Sequence, residues 1–252
     1  MWTSLGAPSR RDAEINEARW WSRWARLSWA EDGSYLLTSD EFAEPFFNRV
    51  GAMSCEGVAG AASWAEGKIV TRGLPSTVLI FESCVRGARS LLASGYRIAD
   101  IMAVLVSKGE ISASLEADIT IRPSTTAESW VSAYLRAFYQ SEELKGAVSP
   151  IANRLLGAKV ATLLEARVKN SVAGSLAIFR TEGIAGVYCV GTVPEFRGMG
   201  VATHLLARAR EISDAEGRQM VLQTLASDGA GPFYSRRGFE HLYSKLIMEK
   251  ES

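Results

Sequence analysis

Val193-Pro194-Glu195-Phe196-Arg197-Gly198-Met199-Gly200-Val201-Ala202 is the stretch that decides the fold of this chain. Ile184 to Val193 before it reads as a strand, and Gly200 to Glu216 after it reads as a helix. Gly198 and Gly200 let the backbone turn tightly and approach a ligand with no Cβ in the way. The first amides of the helix have no internal acceptor, and the aligned peptide dipoles make that end attractive to an anion. Arg197 adds a positive charge at the rim, and the whole suits a diphosphate. The pattern is neither GxGxxG in a parallel βαβ unit nor a P-loop, since no Gly-Lys-Ser/Thr follows. A glycine-rich turn of this kind also occurs for purely structural reasons, so its surroundings have to choose.

Downstream, Met220 to Thr224 reads as a strand, Gly231 to Arg236 as a helix and Leu242 to Glu249 as a final strand. Upstream, Lys159 to Val168, Ala173 to Thr181 and Ile184 to Val193 form an antiparallel meander, turning at Lys169-Asn170-Ser171 and Glu182-Gly183. Pro150 to Gly157 is a short helix opened by Ser149-Pro150. Thr125 to Tyr139 is a helix with Trp130, Ala133, Tyr134, Ala137 and Phe138 inward, and Ile119 to Arg122 is a strand stopped by Pro123. This order is mixed α/β.

About thirty residues past the glycine turn comes Phe233-Tyr234-Ser235-Arg236-Arg237-Gly238-Phe239. With Arg197, two variable residues, Gly200, one variable residue and Ala202, it resembles the paired signatures of the GCN5-related N-acetyltransferase (GNAT) superfamily. The resemblance covers residues 119–252. It implies a mixed central sheet in the order strand-helix-helix-antiparallel meander-helix-strand-helix-strand, and acetyl-CoA as donor. Carried over, the strand Tyr188 to Val193 pairs with the pantetheine arm like an added strand, with Val190, Thr192 and Val193 nearest it. Arg197, Gly198, Met199, Gly200, Val201 and Ala202 surround the pyrophosphate. Ser227 stands where many members have Asn, and its hydroxyl lacks an amide's two-sided reach.

The resemblance also implies roles in the chemistry. Tyr234 is placed as general acid at the leaving thiolate, or else as a ring packed on the cofactor. The Val190 amide is placed to polarise the thioester carbonyl. For the base, Glu182, Glu165 and Glu128 are candidates that no spacing rule separates, and a water chain serves as well; Glu182 is the one carried forward. Cys189 reads as a small buried residue, because an acyl-cysteine route needs a base that neither His204 nor His241 is placed to supply.

Residues 1–118 carry no such signature and are expected to form a smaller, degenerate GNAT-like domain ahead of a catalytic domain at 119–252. Shifted by 143 residues, Val78–Val104 falls on Val221–Ile247 and Gly95-Tyr96 on Gly238-Phe239, with Leu91 in the place of Tyr234. That half is expected to bind no acetyl-CoA and to complete the sheet or wall the acceptor pocket. Ser9 caps a helix over Asp12 to Trp29 with Ile15, Ala18, Trp21, Ala25 and Trp29 on its inner face. Phe42 to Val50 is an edge strand or irregular; a weak helix over Cys55–Glu66, a strand Thr77–Phe81, a helix Cys84–Ala93 and a strand Ile101–Val106 follow. Trp2, Trp20, Trp21, Trp24 and Trp29 suit packing of the first helix, and would also suit an oligomer interface such as a homodimer.

The 252 residues carry 28 basic and 28 acidic side chains, a balance that argues against a nucleic-acid partner. Cys55, Cys84 and Cys189 lie far apart, with no CxxC pair and no expected disulfide framework, and two histidines leave no zinc site or other metal centre. No export-type apolar run follows the start, and the longest uncharged strand-like stretch, Gly183 to Pro194, is far short of the roughly 20 residues of a membrane helix. A cytoplasmic protein with no membrane partner is expected. The function expected is transfer of an acetyl group from acetyl-CoA to a primary amine, on a small molecule or a protein, by direct attack in a ternary complex. A CoA-binding sensor or scaffold without turnover, or transfer of another acyl group, stays open.

Overall fold

In the first half of the chain, α1 (Arg10–Trp21) leads to β1 (Arg26–Trp29), β2 (Tyr35–Thr38) and β3 (Arg49–Gly51). Then come α2 (Val58–Lys68), β4 (Ser76–Phe81), α3 (Val85–Ala93) and β5 (Arg97–Ser107). A computed structural model describes residues 8–113 and 118–251, so Trp2 and part of the junction between Gly109 and Asp118 lie outside the described residues. Ser9 caps α1 as expected: its hydroxyl accepts from the Asp12 amide at 3.1 Å and donates to the Asp12 carboxylate at 2.6 Å.

The helix stops at Trp21 instead of Trp29, and the last expected turns form the strand β1. Its buried face also differs from the apolar stripe, since it carries Ala13, Glu14, Glu17, Ala18 and Trp20. The reason is ionic pairing that one-sided hydrophobic patterning misses. Lys245 Nζ sits 3.1 Å from Glu14 Oε2 and 2.6 Å from Glu17 Oε2, and Arg49 donates to Glu17 at 2.6 Å. All four side chains are buried. Burial alone would lower the Lys245 ammonium, but Glu14 and Glu17 outweigh it and hold it above its usual range.

The second half runs β6 (Ile119–Pro123), α4 (Ala127–Phe138), α5 (Lys145–Leu156), β7 (Ala161–Val168), β8 (Ser171–Thr181) and β9 (Ile184–Thr192). It ends with α6 (Val201–Ala215), β10 (Gln219–Leu225), α7 (Gly231–Ser235) and β11 (Phe239–Lys250). The expected elements are present in the expected order, and the mixed α/β fold follows.

The chain divides into two compact units. Among the described residues, one is built from Val106–Leu222 and Phe233–Glu240, with residues 8–12. Its strands lie in the order β10-β9-β8-β7-β6, antiparallel except for the parallel pair β9–β10. α4 and α6 cover opposite faces of this sheet. A Cβ on Gly191 would strike Phe138 and Ala137 of α4, whereas one on the neighbouring row, at Gly174, would strike Val201 of α6.

The other unit is built from Ala13–Leu105, Gln223–Pro232 and the chain from His241 on. Its strand order is β1-β2-β3-β4-β11-β5. These compact units interleave along the chain and do not part at the boundary between residues 118 and 119. The cause is β11, whose Lys245–Lys250 pairs antiparallel with Ser76–Phe81 of β4. A correction lies here: Cys55, ahead of α2, and Cys84, at the start of α3, are joined in a disulfide with their Cα atoms 5.0 Å apart. The 29-residue separation hid that the two helices begin side by side.

Candidate active site

The ladder between β9 and β10 ends at Val187 and Leu222, whereas the ladder between β9 and β8 runs on to Thr192. Where the strands part, β9 bulges: Tyr188 pairs with Ala177 and Gly191 with Ser175, and Cys189 takes a left-handed φ of 54°. The Ser175 hydroxyl donates to the Cys189 carbonyl at 3.2 Å and so supports the bulge. This is the region where Val190 and Thr192 were expected to meet a pantetheine arm, and both are partly exposed. Val193 is different. It is buried, and its N–H donates to the Ala173 carbonyl at 2.9 Å, so that donor is taken by the sheet.

After β9 a short 3₁₀ turn, Pro194–Phe196, carries the chain into the glycine turn. Gly198 and Gly200 have φ of 81° and 86°, a region that favours glycine. A Cβ at Gly198 would meet no atom within 4 Å, so the outer side of this turn is open. No side chain caps α6, and its first amides lack the acceptor that a Ser, Thr, Asp or Asn would give them. Met199 is exposed, Val201 is buried and Ala202 is partly exposed. Arg197 does not stand at the rim as a bare charge: it reaches back to the Thr192 and Ala137 carbonyls, at 3.4 Å each. Arg136 of α4 pairs with Glu195, so both ends of the turn are tied to that helix.

Phe138, expected inward, is 51% exposed. It lies at the end of α4 over Gly191, whose missing side chain makes room for it. Tyr234 is buried in α7, its ring edge-on to Phe233 at 5.2 Å and to Phe239 at 5.6 Å. Ser227 belongs to the other unit, where its hydroxyl and amide both donate to the Asp100 carboxylate. Burial raises Asp100, but the hydrogen bonds from Ser227, Ile101 and Ala226 prevail and hold it below its usual range.

The candidate bases do not gather here. Glu182 is exposed in the β8–β9 turn, at the opposite end of β9 from the bulge. The strand between Glu182 and Val190 spans roughly 26 Å, far beyond proton-transfer reach. Glu182 therefore does not lie beside Val190. Glu165 is buried and accepts hydrogen bonds from Ser129, Arg122 and Arg167. Burial raises it, yet those donors outweigh burial and keep it below the usual carboxylate range. It holds α4 to β6 and β7 and accepts protons poorly. Glu128 is exposed on the first turn of α4, ten residues from Phe138. Burial pushes the Cys189 thiol well above its usual range, which disfavours an acyl-cysteine.

Two contacts around this turn escaped sequence reasoning, the tie from α4 and the bonds of Arg237 to the Thr203 hydroxyl and the Phe233 carbonyl. The only trace of the second was a pair of arginines, Arg236-Arg237, with nothing to say which of them turns inward.

Residues 160–241 match the model of the acetyltransferase (GNAT) domain. The chain has the GNAT fold. A GCN5-related N-acetyltransferase from Kribbella flavida superposes with a TM-score of 0.70 at 17% identity, covering 95% of each chain. One from Sphaerobacter thermophilus gives 0.67 at 20% identity, over 89% of this chain and 79% of that one. A functionally unknown conserved protein from Staphylococcus epidermidis gives 0.64 at 16% identity, over 90% and 94%. At these identities the likeness is one of fold. No curated protein matches the sequence. The domain match at residues 160–241 agrees with that fold. Among the described residues no helix is long and apolar enough to cross a membrane.

Proposed function

We propose that this GNAT-fold chain moves an acetyl group from acetyl-CoA to a primary amine, on a small molecule or a protein, by direct attack within a ternary complex. The observation that carries the reading is the uncapped glycine turn, open on its outer side, directly after the point where β9 leaves β10. These groups fit an acyl carrier: the amides of Gly198 and of Gly200 to Ala202 for a diphosphate, those of Arg197 and Met199 being taken by the Pro194 and Phe196 carbonyls, and a parted strand for an extended arm.

Acetyl-CoA would supply the acetyl group already activated as a thioester. The backbone amides of Gly198 and of Gly200 to Ala202 hold the diphosphate, helped by the α6 dipole. Val190 turns its amide to the thioester oxygen, where negative charge grows during attack. Tyr234 gives its phenolic proton to the departing sulfur. With Glu182 far from Val190 and Glu165 held by arginines, the incoming amine loses its proton through water.

Residues 1–118 are proposed to derive from a GNAT-like half that no longer binds the carrier. In support, β1-β2-β3-α2-β4-α3-β5 repeats the order of β7-β8-β9-α6-β10-α7-β11.

Calorimetry with CoA against Gly198→Asp tests the turn. The variant places a carboxylate at the proposed diphosphate and forces a left-handed φ on a side chain, so affinity should drop at least about a hundredfold. Equal binding by both proteins would refute the assignment. Thiol release from acetyl-CoA across a panel of amines tests turnover. CoA binding with no amine above background would favour a sensor or scaffold.

A further inference from the structure

Arg237 is an unusual side chain to find beside a short helix that carries a reacting group. Its Nε donates to Thr203 Oγ1 at 2.8 Å, and Thr203 is buried in the first turn of α6. Its Nη1 donates to the Phe233 carbonyl at 2.8 Å, and the guanidinium lies 3.6 Å from the centre of the Phe233 ring. The backbone closes the same knot, because the Arg237 amide donates to the Tyr234 carbonyl at 2.9 Å.

α7 itself is only five residues long, too short to hold its own geometry. Its position therefore depends on side-chain ties. One rigid planar fork grips both the helix that begins at the glycine turn and the residue next to Tyr234. A lysine, with one flexible ammonium, cannot make both bonds and the ring contact in this arrangement.

We propose that Arg237 is a positioning residue that fastens α7 to the first turn of α6 and thereby fixes the Tyr234 phenol relative to the glycine turn. The inference rests on Tyr234 being the acid in the proposed reaction. Arg237 acts through Tyr234 and bonds to protein groups, so it is not assigned to the carrier's phosphates.

The test combines Arg237→Met, Arg237→Lys, Thr203→Val and Tyr234→Phe. In thiol-release assays Arg237→Met should lower kcat by about tenfold to a hundredfold, the scale of misplacing a reacting group by about 1 Å, with KM for acetyl-CoA changed little. Arg237→Lys should recover part of that loss. Combined with Tyr234→Phe, the Arg237→Met change should cost nothing further, since the group it positions is already gone. Additive losses would overturn the inference and leave the acid reading intact. A Tyr234→Phe enzyme that turns over normally would refute the acid reading, and Arg237 with it. CoA affinity lost at unchanged kcat would make Arg237 a phosphate ligand instead.

Hydrogen exchange with CoA alone gives a readout free of the acceptor. CoA should slow exchange across both the glycine turn and Phe233–Gly238 in the parent, and across the turn alone in Arg237→Met. Should Arg237→Met fail to fold, Thr203→Val removes the same bond and should uncouple the two segments. Continued protection of Phe233–Gly238 in these variants would count against the inference.

Discussion

At an offset of 143 residues, Cys55-Glu56-Gly57 falls on Gly198-Met199-Gly200, α2 falls on α6, and Cys84 falls on Ser227. The two turns have opposite fates. At Gly200 φ is 86° and the helix start is left without a cap. At Gly57 φ is −74°, and the Asp32 carboxylate reaches within 2.6 Å of where a Cβ would stand, with the Ser34 hydroxyl at 3.1 Å. Neither helix start has a side-chain cap. At α2 the chain sets its own carboxylate in the space beside the turn, and a disulfide ties Cys55, two residues earlier, to Cys84. At α6 the outer side of the turn stays open, as the proposed anion site requires.

Four experiments would break or sharpen this contrast. Tyr234→Phe should lower kcat by about a hundredfold to ten-thousandfold. Leu91→Met, at the position offset by 143 residues, should leave the thiol-release rate unchanged. A rate loss at Leu91 would mean that residues 1–118 take part in the reaction.

Lys245→Met should lower stability by about 3 to 5 kcal/mol, because Glu14 and Glu17 would stay buried without their ammonium. Chemical denaturation measures this. A neutral result would show that the buried ions of the N-terminal half are not coupled as their distances indicate.

Reduction of Cys55–Cys84 should cost about 3 to 4 kcal/mol by releasing a loop closed over 29 residues. CoA should bind with one site per chain before and after. A second site on reduction would show that the bridge alone keeps CoA from the start of α2.

The smallest effect is on pH. Glu165 is held below its usual value of 4.5, so its contribution is present above about pH 4.5 and fades as pH falls through the lower folded value. Glu14 runs the other way. Burial, only partly opposed by Lys245, raises it above 4.5, so its contribution is full below 4.5 and is lost as pH rises through the folded value. Thermal midpoints of Glu165→Gln and Glu14→Gln against pH should differ from the parent with opposite slopes. Slopes of the same sign would refute one of the two assignments.

Much of the second half was legible because its signals are local. The hairpin turns at Lys169 and Gly183 take the left-handed φ their positions suggest, and the glycine turn forms between strand and helix as read. What was missed is long-range. Glu14 and Glu17 face inward only because Lys245 arrives from more than two hundred residues away, and no helical periodicity announces that. The Cys55–Cys84 bridge depends on two helix starts meeting in space. In the site, residue types were informative but reach was not. Glu182 has suitable chemistry yet sits at the wrong end of a nine-residue strand, and Arg237 looked like any surface arginine.

The strand β11 carries a consequence for how the protein is made. A ribosome working from the first codon delivers α1, β4 and both buried glutamates long before their lysine. Until translation reaches the 240s, the unit built on β4 has an open edge there and two carboxylates awaiting a counter-ion, so its closure waits for β11.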